Sequence, residues 1–180
     1  MPSLIHRFRS DEALMLAYQR GDAGAFECLY RRHKDPLFAF LYRSCRHPAV
    51  VEELAQDAWT AVINRAAQYQ PDARFKTWLY RIASNRLADF WRRRDNHHQP
   101  LDSAPEAMTS GMEEETTELM AATLQALGTL PPEQRNALLL QEQGFSQREI
   151  AGITDSGEET VKSRLRYARG QLREQLGDLL

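Results

Sequence analysis

Several features that would place a chain in a membrane or outside the cell are missing here. The sequence has no apolar run near the ~20 residues needed to span a bilayer, and its first residues show no apolar signal segment. Only two cysteines occur, Cys28 and Cys45, without CxxC spacing. We therefore expect a cytoplasmic protein with no membrane insertion, in which both cysteines are small buried apolar residues rather than disulfide partners.

The sequence also lacks the usual marks of catalysis. It contains no Gly-rich phosphate loop and no Ser/His/Asp set. His97 and His98 are adjacent, so they would point in different directions on a helix, and no Cys or Asp/Glu spacing near them suggests a zinc site. We expect no enzyme activity, no metal and no other cofactor.

No run of alternating apolar and polar residues suggests a β-strand, whereas apolar residues recur at three- and four-residue steps in most of the chain. The pattern predicts an all-α fold. Residues 96–118 lose this periodicity and are rich in Pro, Ser and acids. We therefore predict two small helical domains, 1–95 and 119–180, joined by a flexible acidic linker at 96–118.

The net charge of −2 conceals a strong asymmetry along the chain. Residues 1–95 carry 16 Lys/Arg and 11 Asp/Glu, whereas residues 96–133 carry no Lys/Arg and seven Asp/Glu. Residues 134–180 carry seven of each. The basic front half suggests a polyanionic partner, and the low overall charge argues against tight DNA binding by the chain alone.

The C-terminal segment 144–176 has the layout of a helix-turn-helix. Ser146 and Glu149 form a capping box for a short helix, and a turn leads to a second, basic helix whose inner positions are Val161, Leu165 and Ala168. We predict base contacts from Lys162, Ser163 and Arg166 and phosphate contacts from Arg164 and Arg169. The alternative is an ordinary amphipathic surface helix with charge pairs along its exposed face.

Two further helical segments carry distinctive side chains. In residues 75–94, Trp78, Tyr80, Phe90 and Trp91 are interspersed with cations, a combination that suits single-stranded nucleic acid. The alternative is a core helix, and Trp78 fits either reading. In residues 50–69 the exposed face is acidic, which suggests either a favourable helix dipole or a protein-binding surface.

These segments together resemble the extracytoplasmic-function group of the sigma-70 family. The resemblance rests on ELAQD at 53–57, WLYRIASN at 78–85, LPPEQR at 130–135 and TVKSRLRYA at 160–168, and it covers roughly residues 10–95 and 119–176. It implies a promoter-recognition factor that binds core RNA polymerase, reads the −10 and −35 elements and helps to melt the promoter. It also implies an anti-sigma partner.

The resemblance assigns roles to individual residues. The β′ clamp helices of the polymerase would contact Glu53, Gln56 and Asp57, and the second domain would approach the β flap. The loop 68–75 would take a flipped base. The −10 element would be contacted by Lys76, Trp78, Tyr80, Arg81, Asn85 and Arg86. The −35 element would be contacted by Thr160, Lys162, Ser163, Arg164, Arg166, Tyr167 and Arg169.

One departure from the family pattern concerns the recognition helix, because Glu158 and Glu159 place two acids at its start, where they would repel phosphates. Two other functions fit parts of the sequence. A stand-alone helix-turn-helix regulator would have a sensor domain in the first 95 residues, and a helical nuclease would have an acid pair at metal-binding spacing. The sequence shows neither a pocket-lining pattern nor such a pair.

Overall fold

A computed structural model describes residues 4–97 and 114–177, and within these ranges the regular structure is helical. A 3-10 helix at Leu4–Phe8 precedes the first α-helix, and a second lies at Ala66–Gln68. The α-helices are α1 (Asp11–Gln19), α2 (Ala23–Cys45), α3 (Pro48–Asn64), α4 (Phe75–His97), α5 (Glu114–Thr129), α6 (Pro132–Glu142), α7 (Gln147–Thr154) and α8 (Glu158–Leu176). The all-α prediction is confirmed. Most of the predicted linker, residues 98–113, lies outside the described residues.

Local capping chemistry sets several helix boundaries. The side chain of Asp22 accepts a hydrogen bond from Ala25 N, as expected of an N-cap before α2. Ser146 and Glu149 form the predicted capping box at α7, and the hydrogen bond from the Ser146 backbone is the main cause of the lowered pKa of Glu149. Gly144, at φ +89°, adopts the left-handed conformation that follows α6.

The N-terminal half packs α1 to α4 around one apolar core. Leu14, Leu29, Leu41, Val62 and Leu79 are all fully buried there. Cys28 and Cys45 are buried and free, as predicted for small apolar residues on helices. This core fixes α3 against α4, and therefore sets the outward faces on which the predicted binding residues lie.

The C-terminal half packs α5 to α8 together, with α7 and α8 arranged as the helix-turn-helix, and its buried apolar residues are continuous with those of the N-terminal half. Val161, Leu165 and Ala168 are buried on the inner side of α8, and Ile150 and Ala151 are buried on α7. The inner face predicted from the sequence is confirmed. The helix α7 continues to Thr154 and is followed by Asp155, whose left-handed φ of 49° begins the turn into α8.

The two halves pack against each other, α4 on α7 and α2 on α6. Arg135 of α6 lies at the centre of this contact and is only 6% exposed. Its guanidinium donates to the carbonyls of Ser44 in α2 and of Gly128 and Leu130, and lies 5.4 Å from the ring centroid of Trp91. Burial lowers the pKa of this guanidinium. Of these partners, Ser44 O and Trp91 belong to the other half, so the buried charge favours the packed arrangement of the halves.

Side chains at the edges of this contact add further hydrogen bonds. Arg46, which ends α2, donates to Leu124 O at 3.0 Å, and Arg43 pairs with Glu142 at 2.6 Å. The Arg43–Glu142 pair is partly exposed and contributes little, about 0–1 kcal/mol for a pair of this kind. Arg135, at 6% exposed, is by contrast a buried charge within the contact.

The start of α1 is fixed to α2 through Asp11, whose carboxylate lies 2.8 Å from Arg32 and 2.7 Å from His33. Burial alone would raise the pKa of Asp11, but the hydrogen bonds to His33 and Arg32 outweigh it and hold the pKa below its ordinary 3.8. A depressed carboxyl pKa contributes stability that is complete above the unfolded-state value and is lost as the pH falls toward the folded-state value.

We therefore expect Asp11→Asn to flatten the acid side of the stability curve. Thermal melting from pH 6 to pH 3 would show a smaller drop for the variant than for the parent chain, with the two curves diverging most above pH 4, where the parent carboxylate is ionised. Parallel curves over this range would show that the Asp11 ion pairs contribute no pH-dependent stability.

Candidate functional site

The outward face of α8 presents most of the residues predicted to read DNA. Among the predicted −35 residues, Ser163 and Arg164 are partly buried and the others are exposed: Thr160, Lys162, Arg166, Tyr167 and Arg169. The Arg166 guanidinium stacks 5.0 Å from the Tyr167 ring, and Arg169 donates to Gln141 of α6. The arrangement brings a cationic and aromatic surface to one side of the helix-turn-helix.

The two acids at the start of α8 are both exposed. Glu159 lies 3.6 Å from Lys162, so one acid partly neutralises one of the predicted base-reading cations. The pair joins side chains that are 89% and 65% exposed, and solvent screening makes it weak. Lys162 can therefore exchange this partner for a base or a phosphate.

The predicted −10 residues at the start of α4 do not all face solvent. Tyr80 is fully buried, its ring lies 5.2 Å from that of Phe145, and its hydroxyl donates to Gln143 Oε1 at 2.9 Å. Burial raises the pKa of this phenol. Lys76 Nζ donates to Gln143 O at 2.6 Å. In this arrangement the loop after α6 covers both residues, and sequence reasoning gave no sign of it.

Farther along α4, the polar face is accessible. Arg81 and Asn85 are exposed and Arg86 is partly exposed. Asn85 and Arg86 line a polar cavity of about 290 Å³ together with Arg65, Arg92 and Asp89, and Asp89 lies 3.2 Å from Arg92. Three guanidinium groups and an amide around one cavity can donate to phosphate oxygens or base edges.

The side chain of Trp78 is neither fully buried in the core nor fully exposed to solvent. It is partly buried, and its ring lies 5.2 Å from that of Tyr69 and 6.1 Å from that of Phe75. One part of the indole therefore belongs to an aromatic cluster, while another part remains open to solvent. This geometry fits both of the roles that the sequence left open.

The acidic face of α3 is exposed as predicted, and Glu53, Gln56 and Asp57 all lie on it. Asp57 also borders a second cavity shared with Arg86 and Arg93 of α4. The face therefore runs from carboxylates on α3 to guanidinium groups on α4. It is a surface suited to a partner of mixed charge.

An apolar groove beside this acidic face was missed in the sequence. It has a volume of about 500 Å³ between α2 and α3 and is lined by Tyr30, Trp59 and Ile63, among others, with Gln56 at its rim. Tyr30 is 41% exposed and Ile63 is 45% exposed. The spacing of residues 56, 59 and 63 along α3 is helical and could have indicated that these residues share one face.

The segment predicted to take a flipped base lies between two buried aromatic residues. Tyr69 and Phe75 are 4% and 0% exposed, whereas residues 70–74 between them are exposed. Burial raises the pKa of Tyr69 to about 12, so its hydroxyl stays protonated and donates to Ala73 O at 2.9 Å. The segment is thus held at its ends and open in its middle.

Among the described residues, no helix combines the length and the apolar character needed to cross a bilayer. The protein family described as "Sigma-70 region 2" matches residues 29–97, and the family described as "Sigma-70, region 4" matches residues 120–172. One match falls within each helical half, and together they include α3, α4 and most of α8, on which the predicted binding residues lie.

Two curated relatives align along nearly their whole length. The ECF RNA polymerase sigma factor SigM of Mycobacterium tuberculosis is 34% identical over 173 residues, covering 95% of this chain and 87% of SigM. The RNA polymerase sigma factor CarQ of Myxococcus xanthus is 34% identical over 171 residues, covering 92% of this chain and 97% of CarQ.

Two solved structures share the fold. CnrH in complex with the cytosolic domain of CnrY matches with a TM-score of 0.72 at 23% identity, covering 94% of this chain and 99% of CnrH. The sigma factor RpoE of Bartonella quintana, in complex with the anti-sigma factor NepR, matches with a TM-score of 0.71 at 25% identity, covering 84% and 96%. The chain belongs to the extracytoplasmic-function group of the sigma-70 family and is an RNA polymerase sigma factor.

Proposed function

We propose that the acidic face of α3 binds the β′ clamp helices of core polymerase, with Glu53, Gln56 and Asp57 as the polar contacts. The observation that carries this proposal is that all three are exposed on one helix face beside an apolar groove. Aromatic side chains in such a groove supply buried area, and the acids around it select a basic partner. Tyr30 and Ile63 extend the proposed contact.

The −10 element contacts the polar face of α4 and the segment 70–74. Arg81, Asn85 and Arg86 lie along that face, and the neighbouring cavity is lined by guanidinium groups. Strand separation requires no covalent chemistry. It requires binding that favours unpaired over paired strands, which aromatic stacking and phosphate contacts provide. Trp78 offers the partly exposed ring for such stacking.

The −35 element is read by the outward face of α8, through the exposed and partly exposed residues from Thr160 to Arg169. The C-terminal half also approaches the β flap of the polymerase. The described contacts place the helix-turn-helix beside α4. Two weak DNA-binding surfaces on one chain gain affinity through their effective concentration once both can engage.

An anti-sigma protein is the proposed regulatory partner, acting in the cytoplasm. The similar RpoE structure, at 25% identity to this chain, contains an anti-sigma factor, and this similarity supports the proposal. In the present arrangement Lys76 and Tyr80 are covered by Gln143 and Phe145. We propose that the free chain favours this closed, DNA-incompetent arrangement and that polymerase selects an open one.

Core binding is tested by Asp57→Arg. The reversed charge replaces attraction by repulsion at an exposed position, so we expect the Kd for core polymerase to rise about tenfold or more. Helicity should not change, since the side chain is not in the core. Kd would be measured by fluorescence anisotropy of labelled protein titrated with core polymerase, and folding by circular dichroism.

The control for this experiment is Asp95→Arg, which makes the same substitution at an exposed position near the end of α4. It should bind core polymerase like the parent chain. Equal affinities for both variants and the parent would refute the assignment of α3 as the polymerase-binding surface. The alternative of a stand-alone regulator would show no core binding by the parent chain itself.

A further inference from the structure

Residues 70–74, the exposed part of the segment proposed to take a flipped base, are bordered at both ends by hydrogen bonds with α1. This helix precedes the part of the chain that matches sigma-70 region 2. Gln19, at the end of α1, donates through Nε2 to Ala66 O at 2.7 Å and to Tyr69 O at 2.8 Å. Tyr69 O lies immediately before the exposed residues 70–74, and Ala66 O lies three residues earlier. One amide group therefore fixes the direction in which the chain enters the segment.

The other end of the segment is held by the first turn of the same helix. Glu12 Oε1 accepts a hydrogen bond from Phe75 N at 3.0 Å. Phe75 is the first residue of α4, where backbone N–H groups have no partner within the helix, and a carboxylate there is also favoured by the helix dipole. Glu12 thus fixes where the segment ends and α4 begins.

The position of α1 is in turn fixed on α2. Asp11 contacts both Arg32 and His33, and the His33 ring lies 5.4 Å from that of Phe75. The helix therefore cannot shift without breaking the contacts of Asp11 with Arg32 and His33. Its two bracing side chains, seven residues apart, reach the two ends of one exposed segment.

Stability alone does not account for this arrangement. Gln19 is itself exposed, so water could satisfy Ala66 O and Tyr69 O if the amide were removed. The expected loss of folding free energy is small. What the amide adds is a single backbone direction for residues 70–74, and a base-accepting surface gains affinity when its geometry is set in advance.

We infer that Gln19 and Glu12 are positioning residues for promoter melting, which hold the segment 70–74 in the geometry that accepts an unpaired base of the non-template strand. This inference rests on the proposed function of the segment. Neither residue needs to touch the DNA, because each acts on the backbone that carries the contacting residues.

The experiment uses holoenzyme, formed from the full chain and core polymerase of the source bacterium, and a pool of single-stranded 12-mer DNA with all positions randomised. Bound oligonucleotides are sequenced after one round of selection. The variants are Gln19→Leu, which keeps the size and removes the donor, and Glu12→Ala, with Glu12→Gln as the conservative rescue. Gln125→Leu on α5 is the matched control, because Gln125 is also exposed and lies far from the segment in sequence.

We expect the parent chain and Gln125→Leu to select the same motif. In Gln19→Leu and Glu12→Ala the preference at one position should fall about fivefold, the scale of one net hydrogen bond, while the other positions keep theirs. Glu12→Gln should recover most of the preference, since its amide oxygen can still accept from Phe75 N. Kd for core polymerase should stay close to the parent value in all variants, and the melting temperature should fall by only about 2–4 °C in Glu12→Ala, the scale of one lost helix cap.

Two outcomes distinguish a failure of the inference about α1 from a failure of the proposed −10 function of the segment. If the parent selects a motif and both bracing variants select the same motif with the same strength, α1 does not position the segment, and the proposed −10 function stands. If the parent holoenzyme selects no motif, the proposed function of the segment is wrong and the inference falls with it. If the bracing variants lose base preference equally at every position and also melt at a lower temperature, α1 has only a structural role and the inference is overturned.

Discussion

Phe75→Ala is expected to lower the free energy of unfolding by about 3–5 kcal/mol, the range for removing a large buried aromatic side chain. Phe75 is 0% exposed and its ring contacts those of His33, Tyr69 and Trp78. The cavity would open where α1, α2 and α4 meet, so neighbouring helices could not close it without moving the segment 70–74.

Trp78→Ala tests whether Trp78 is a core residue or a base-stacking residue, a question that the sequence left open. Because the indole is partly exposed, we expect a smaller cost than for Phe75→Ala, about 1–3 kcal/mol. Asn85→Ala, on the exposed face of the same helix, is the control and should stay within about 0.5 kcal/mol of the parent chain. Urea denaturation followed by circular dichroism gives all three values.

The same variants separate core packing from DNA contact. Asn85→Ala should reduce open-complex formation, measured by permanganate reactivity of the melted strand, at unchanged stability. A Trp78→Ala chain of parental stability that fails to melt the promoter would make the indole a stacking residue only. A cost for Phe75→Ala below that for Trp78→Ala would contradict the burial described for both side chains.

Features that depend on nearby residues were predictable from the sequence. The capping box of Ser146 and Glu149 spans three residues, and the inner face of α8 repeats at helical spacing through Val161, Leu165 and Ala168. Each follows from backbone geometry and local hydrogen bonding, which a short window of sequence contains. The acidic face of α3 was predictable for the same reason.

Features that join distant parts of the chain were not predictable. Tyr80 looked like an accessible aromatic residue on a basic helix, but its partner Gln143 is 63 residues away. Gln19 carried no signal, since its acceptors lie 47 and 50 residues later. Periodicity identifies which face of a helix is buried, but it does not identify which other helix covers that face.

The contact between the halves yields the other large expected effect. Arg135→Leu removes three charge-assisted hydrogen bonds and a contact with the Trp91 ring. Hydrogen bonds of charged groups contribute about 1.5–3 kcal/mol each, so the variant should lose several kcal/mol even if water reaches some of the carbonyls. The bond to Ser44 O and the contact with Trp91 are the parts of this loss that cross between the halves, so we expect the halves of the variant to separate more often than those of the parent chain.

Small-angle scattering of the free chain measures this separation directly. A compact globule of this length has a radius of gyration of about 16 Å, and we expect the Arg135→Leu chain to exceed the parent value by about 3 Å or more. Glu142→Gln is the control, because it breaks only the partly exposed pair with Arg43 and should leave the radius unchanged. Circular dichroism would verify that helicity is retained.

Arg46→Gln keeps the test decisive if Arg135→Leu also disturbs the C-terminal half, where two of its three acceptors lie. The Arg46 guanidinium donates across the contact, to Leu124 O. Its loss should expand the chain less than Arg135→Leu does, and without unfolding either half.

Opening uncovers Lys76 and Tyr80, so both expanded variants should bind single-stranded DNA more tightly than the parent chain in the absence of polymerase. Expanded chains with unchanged DNA affinity would show that the closed arrangement does not restrain DNA binding, and a parental radius for both variants would show that these arginines do not hold the halves together.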